Sequence, residues 1–243
     1  MAFRHGKDSK IYGNGYDLTS YFSSLNTPFT QETVETTTFS KSNKTKLAGV
    51  GDGSMSGEGY YDPSANAADE VLRAAMGTAA GIWAHLPAGD TAGYPAIMIS
   101  SIGTSYEVVA STDAAVSFSM EGECDQDGVV GGLIVTPYGA VVATGNGATL
   151  DNAASSANGA IIDLQVFAIA GAAPSVTLEV RHSTDNFGAS NDLLGTFTVV
   201  TAAPTKQRLL IAAATTVNRY VRVRHVFGGT TTSITYFAAM RRN

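Results

Sequence analysis

A mainly β protein is predicted: a β-sandwich or barrel with one flanking helix, followed by a second β-sandwich of jelly-roll or immunoglobulin-like kind. Three observations carry that prediction. Apolar and polar residues alternate along short runs, as at Val176, Leu178 and Val180 against Thr177, Glu179 and Arg181. Glycines such as Gly93, Gly103 and Gly128 punctuate those runs. One stretch, and no other, carries an apolar stripe at helical spacing. A period of two marks half-buried strands, and a period near 3.6 marks an amphipathic helix.

The elements follow in order. Residues 1–11 read as an extended arm, and strand signals occupy about 12–24, 30–40 and 50–61. In the last, Met55, Gly57, Gly59 and Tyr61 alternate with Ser54, Ser56, Glu58 and Tyr60. Before it lies Ser40-Lys41-Ser42-Asn43-Lys44-Thr45-Lys46, a polar tract that cannot bury itself. It predicts a projecting hairpin loop over about 40–52, and long ordered loops tend to carry function. Asp62-Pro63-Ser64 stops the strand. Ala68, Val71, Leu72, Ala75 and Met76 then predict a helix over about 65–76. Asp69 and Glu70 suit the positive end of its dipole, and Gly77 suits its end. So short a helix is marginal alone in water and must lie on a sheet.

Further strands are expected at Ile82-Trp83-Ala84-His85-Leu86, near 94–101, at 107–109 and at 116–120. The polar run Glu123-Cys124-Asp125-Gln126-Asp127-Gly128 predicts a hairpin turn at Asp127-Gly128. Residues 129–146 read as a joint between a first domain, 1–135, and a second, 147–243, which is expected to fold alone. Strands of the second are expected at about 160–169, 175–182, 195–201, 206–213, 218–227 and 232–240.

Composition narrows the function. The 243 residues are 44% hydrophobic but only 15% charged, below the usual quarter. A thin charge complement suits a chain covered by copies of itself, and also many secreted β proteins. Net charge is −6, unevenly spread. Residues 1–46 hold six bases and four acids, 47–135 hold Arg73 against twelve acids, and 136–243 hold eight bases and five acids. Phosphate contacts need Lys and Arg, so the acidic middle argues against DNA binding there. It suits either a channel that DNA slides through or a soluble particle surface.

Catalytic and ligand motifs fail on inspection. The single Cys124 excludes an intrachain disulfide. The acidic run at 123–128 would place Ile134 where a calcium loop needs a bidentate Glu. Gly49, Gly51 and Gly53, like Gly145-Asn146-Gly147, open no helix and precede no Gly-Lys-Ser/Thr. His5, His85, His182 and His225 are scattered, and no Gly-x-Ser-x-Gly elbow accompanies them. His182-Ser183-Thr184-Asp185-Asn186 reads as a polar turn. No enzyme, metal or cofactor is expected. The start, Met1-Ala2-Phe3-Arg4-His5-Gly6-Lys7, lacks the apolar core of a secretory signal. No apolar run approaches the ~18–20 residues of a membrane span, so Asn43-Lys44-Thr45 is not expected to be glycosylated. Tyr220, Arg222, Arg224 and His225 form a polar strand face suited to a glycan contact or to solvent. Lys41, Lys44 and Lys46 lack the aromatic neighbours of a nucleic-acid patch.

The order of several pieces resembles the major tail tube proteins of long-tailed, siphovirus-like bacteriophages. The pieces are Met1-Ala2-Phe3-Arg4-His5-Gly6-Lys7-Asp8, Tyr16-Asp17-Leu18-Thr19, Glu35-Thr36-Thr37-Thr38-Phe39 and Leu47-Ala48-Gly49-Val50-Gly51-Asp52-Gly53. Ser54-Met55-Ser56-Gly57-Glu58-Gly59-Tyr60-Tyr61-Asp62 follows, one residue longer than the Ser-x-Ser-Gly-x-x-Tyr-Asp strand of that family. The resemblance covers roughly residues 1–130. It implies a virion structural protein, assembled in the host cytoplasm as hexameric rings stacked into a hollow tube through which DNA passes unbound. Its implied partners are itself and the tape-measure, tail-terminator and distal tail proteins, with no membrane. Lys41, Ser42, Asn43, Lys44, Thr45 and Lys46 would form the inter-ring loop. Phe3, Arg4, His5 and Lys7 would form an inter-subunit arm. Asp52, Glu58, Glu107, Asp113, Glu121 and Glu123 would face the lumen or a ring contact. The helix would cover the face turned from the lumen, and the second domain would decorate the outside. A basic loop tip reaching an acidic neighbour would dock less well as salt rises. A capsid decoration or tail-terminator protein, or a carbohydrate-binding module, would share the same composition.

Overall fold

A computed structural model describes residues 5–39 and 42–243. The chain is mainly β. Its strands are β1 (Lys10–Gly13), β2 (Tyr16–Asp17), β3 (Phe22–Asn26), β4 (Phe29–Glu35) and β5 (Lys46–Tyr60). After α1 (Ala68–Ala75) come β6 (Gly81–Leu86), β7 (Pro95–Val109) and β8 (Ser117–Val141). Then follow β9 (Gly145–Asn146), β10 (Leu150–Asp151), β11 (Ala160–Ser183), β12 (Asp192–Thr196), β13 (Thr205–Ile211) and β14 (Tyr220–Arg242). The pairings of β1 with β2 and β6, of β5 with β3, β4 and β8, of β11 with β12, β13 and β14, and of β14 with β8, β9 and β10 are antiparallel. The chain divides into two compact units: residues 21–81 with 99–129, and residues 1–20 with 82–98 and 130–243.

In the first of these, β5 lies between β3 and β8. Met55 faces Gly122, Gly57 faces Met120, and Gly59 faces Phe118. Opposed residues share one side of a sheet, so these six make one face, and Met55, Phe118 and Met120 are buried there. Small residues are needed on it. A Cβ at Gly57 would lie 2.5 Å from the Phe22 ring, which packs edge-on to Phe118 at 5.2 Å. Helix α1 covers the same side. The Tyr106 hydroxyl donates to Asp69 on α1 at 2.8 Å, and its ring lies 6.1 Å from that of Phe118. The Gly77 N–H donates to the Gly103 carbonyl at 3.0 Å. The buried stripe is Ala68, Val71, Leu72 and Ala75, as the spacing predicts. The helix is shorter than 65–76 because Asn66 sits at φ 63 and Met76 turns extended at ψ 124.

In the second unit, β11 and β14 pair from Ala160 opposite Arg242 to Ser183 opposite Tyr220. Register shifts after Val166 and on either side of Gly171 divide the ribbon into halves. Gly171 takes φ +142, and a Cβ there would meet the Thr231 Cα at 3.0 Å. Both halves feed one core: Ile162, Leu164 and Val166 join Val176, Leu178 and Val180, with Val221, Val223, Ile234 and Tyr236 of β14. A ribbon whose two ends share a core is folded over itself, which makes the two layers of a sandwich. The other side of the first half is also covered, where Ile161, Phe237 and Ala239 meet Tyr12, Leu86 and Met98. Burial from Ala160 to Val166 is therefore unbroken, as in any strand covered on both faces.

Several expectations change. The division at 135–147 is not where the units part, because polar as well as apolar contacts tie residues 1–20 to the C-terminal strands. The Gly15 N–H donates to Gln165 Oε1 at 3.0 Å, Gln165 Nε2 donates to the Tyr12 carbonyl at 3.2 Å, and Lys206 Nζ donates to Asn14 Oδ1 at 2.5 Å. The expected joint at 129–146 is mostly strand, with Val129, Val130, Ile134 and Val135 buried. No reversal occurs at Asp127-Gly128. Strand β8 runs through it, and Gly128 absorbs an irregularity at φ +66. The pairs of strands expected at 160–182 and at 218–240 are each one long bent strand. The expected loop over 40–52 is strand from Lys46 onward.

Candidate functional site

The site begins with β5, which changes partners along its length. Its second part belongs to the β3–β5–β8 sheet, while Lys46–Gly53 pairs only with β4. The result is a two-stranded hairpin. Every residue of β4 is exposed, and among the described residues β4 has no partner beyond β5. Val34 lies directly opposite Leu47, and both are uncovered, at 59% and 65% exposure. Phe29 and Phe39 are exposed as well. Such a hairpin is marginal by itself in water, and its open edge offers a row of unpaired amides and carbonyls.

The Thr-rich run closes this hairpin. The Thr36 N–H donates to the Thr45 carbonyl at 2.8 Å, and the Thr45 N–H donates to Thr37 Oγ1 at 3.1 Å. Ser42, Asn43, Lys44 and Thr45 form the turn, and Lys46 opens β5 opposite Glu35. Lys41, Phe3 and Arg4 lie outside the described residues. His5 caps a single 3-10 turn at Gly6–Asp8 by accepting from the Lys7 N–H at 3.1 Å. The hairpin tip is less basic than its lysines imply. Lys44 pairs with Glu35 at 3.2 Å, and Glu32 and Asp52 add further acids on the same two strands.

Three of the six predicted acids come together. On β5 and β8, Ser54 faces Glu123, Ser56 faces Glu121, and Glu58 faces Ser119. They occupy the side opposite Met55, Phe118 and Met120, and all three glutamates are exposed. Ser24 and Asn26 of β3 extend the same row. This is a hydroxyl-and-carboxylate face, backed by an apolar face under α1. Asp52 sits instead on the hairpin, Glu107 at the exposed end of β7, and Asp113 in the turn after it. Hydrogen bonds from the Ser111 and Thr112 hydroxyls hold the Asp113 carboxyl below its usual range.

The polar face expected at 220–225 is engaged within the chain. Arg224 reaches Glu179 at 3.4 Å, Arg222 stacks 3.7 Å over the Phe187 ring, and Tyr220 lies under Arg219 at 4.8 Å. His225 is buried beside the Tyr236 hydroxyl, 3.3 Å away. Sequence reasoning missed Phe187 and the facing Arg181, because the register of β11 on β14 is set by long-range packing. Their only sequence signal is that Arg222 and Arg224 share one parity on their strand and Arg181 sits on an alternating one.

Among the described residues, no three or more His, Cys, Asp or Glu side chains are grouped to hold a metal. No helix among them is long and apolar enough to cross a membrane. No protein-family model matches the chain, and no curated protein does. Solved structures do. A chain from the virion of a native gene transfer agent particle is 19% identical, with 53% of this chain and 99% of that chain covered at a TM-score of 0.43. One from the tail of an empty gene transfer agent particle, computed with C6 symmetry, is 20% identical, with 53% and 98% covered at 0.43. The SPP1 Dit protein is 9% identical, with 96% and 99% covered at 0.37. With TM-scores below 0.5, these likenesses carry no inference about function.

Proposed function

We propose that the chain is a structural subunit of a phage tail tube, polymerising as stacked hexameric rings around a lumen through which DNA passes. The uncovered β4–β5 hairpin carries the reading. An exposed apolar cross-strand pair on an open edge is an unusual liability for a free protein, and a neighbouring subunit would remove it. The resemblance of residues 1–130 to tail tube proteins supports the same assignment and supplies the ring number.

In this reading the hairpin bridges to the next ring, with Ser42, Asn43, Lys44 and Thr45 at its tip. The Ser/Glu face of β5 and β8 lines the lumen. Carboxylates there repel phosphate, so DNA slides without sticking. Helix α1 lies on the side away from the lumen. The arm around His5 and Lys7 contacts a neighbouring subunit, and tape-measure, tail-terminator and distal tail proteins complete the structure. Ring contacts of this kind are heterologous and stacking is open-ended, so a filament follows.

Deleting residues 40–46 tests the hairpin directly. Folded subunits that no longer polymerise, seen by negative-stain microscopy and light scattering, are expected. Tubes of normal length from the deletion would reject the assignment. Single rings from the intact chain would favour a tail terminator or capsid decoration protein instead.

A further inference from the structure

Strands β11 and β14 place Arg181 directly opposite Arg222, and Glu179 directly opposite Arg224. Like charges facing each other across a sheet repel. One carboxylate serves the group: Arg181 donates to Glu179 Oε2 at 2.7 and 3.0 Å, and Arg224 donates to the same oxygen at 3.4 Å. Arg222 reaches only Asn191 Oδ1, at 3.4 Å, and its Nε is buried with no partner among the described residues. Burial, and then Arg181 and Arg224, hold its guanidinium below the usual range. The sheet thus gathers three cations around one anion and, among the described residues, leaves Arg222 without a carboxylate partner.

The loop above this face is built in advance. Asn186 and Phe187 take φ of 57 and 64, a left-handed conformation that is costly for a phenylalanine and that clusters at functional sites. A compact network holds it. Ser183 Oγ accepts from the Phe187 N–H at 2.8 Å and donates to Asp185 at 2.6 Å. The Asp185 carboxylate also takes the Ala189 N–H at 2.5 Å and the Ser190 N–H at 3.2 Å. These bonds seat the Phe187 ring under Arg222, which fixes a guanidinium that would otherwise explore many rotamers. A planar fork held in place is pre-organised for a two-oxygen acceptor.

We propose that Arg181, Arg222 and Arg224, with Phe187 as the backing, bind a carboxylate or phosphate group of a small anionic ligand. The face belongs to a single unit of one chain, so the inference is independent of tube assembly. A bound oxyanion gives Arg222 Nη2, whose present acceptor is Asn191 Oδ1 at 3.4 Å, a charged acceptor, and offsets the repulsion between Arg181 and Arg222.

The test uses the full chain, titrated separately with glucuronate, glucose 6-phosphate and glucose, and followed by the arginine Nε–Hε signals in NMR. Saturable shifts confined to Arg181, Arg222 and Arg224 are expected with glucuronate or glucose 6-phosphate, and the tighter of the two identifies the source of the oxyanion. Arg222→Gln is expected to weaken that binding at least tenfold, and Arg224→Gln, whose guanidinium already pairs with Glu179, to weaken it less. A matched thermal midpoint in Arg224→Gln keeps the result interpretable if Arg222→Gln unfolds. Absence of shifts with both acids, equal shifts with neutral glucose, or unchanged affinity in both variants would overturn the proposal.

Discussion

Asp163 is 1% exposed, and its two oxygens receive Arg208 Nε at 2.7 Å and Nη2 at 2.8 Å. Removing one member of such a buried pair strands the other. Asp163→Asn is therefore expected to destabilise the chain by about 3–5 kcal/mol, read from chemical denaturation. The buried histidines give a pH dependence. His182 Nδ1 accepts from the Asn218 N–H at 3.0 Å, which requires that nitrogen to be unprotonated. Burial pushes the pKa values of His85, His182 and His225 below the ordinary 6.5. The unfolded chain then binds more protons than the folded one as pH falls through that value, so stability drops on acidification. The carboxyl of Asp90 is raised by burial and works in the opposite sense. Thermal midpoints should fall from pH 8 to pH 5.5, and His182→Gln should flatten the slope. A midpoint that rises over that range contradicts the assignment.

At the scale of elements, the hairpin matters most. Replacing its apolar pair by Val34→Lys together with Leu47→Glu keeps a cross-strand attraction and removes the sticky surface. Subunit stability should change by no more than about 0.5 kcal/mol, while polymerisation is lost. Because acids and lysines nearly balance on the two hairpin strands, salt should weaken assembly less than this double substitution does. Sedimentation velocity across a salt series measures both. Much of this element was legible in the sequence. The Thr run at 36–38 and the alternation at Ser54–Tyr61 mark the two sides of the hairpin. What stayed hidden was the start of β5, since the Gly-rich stretch from Gly49 to Gly53 carries no period-two pattern. Helix α1 was legible through its stripe at Val71, Leu72 and Ala75, and its ends were not, because Asn66 sets one of them by a backbone conformation.

For the whole molecule, the β-rich class was readable from alternation, but the grouping of strands was not. Gly171 and the residues around it look like a turn between two strands, yet β11 bends there and continues. A bend and a turn share the same residues, and only partners distant in sequence distinguish them. The same holds for the boundary near 140, where the glycines of Gly131-Gly132 lie inside β8. A fragment of residues 147–243 would lose β1 and the second part of β8, and would expose Ile161, Phe237 and Ala239. It is expected to be aggregation-prone or molten, with poor dispersion in an NMR spectrum, whereas a well-dispersed spectrum would show that the apolar contacts to Tyr12 and Ile134 are dispensable. The central claim is that copies of this chain cover one another's open hairpins and build a tube. Negative-stain microscopy of the purified, concentrated protein tests it most directly: long hollow tubes of uniform diameter are predicted, and a population that remains monomeric would contradict it.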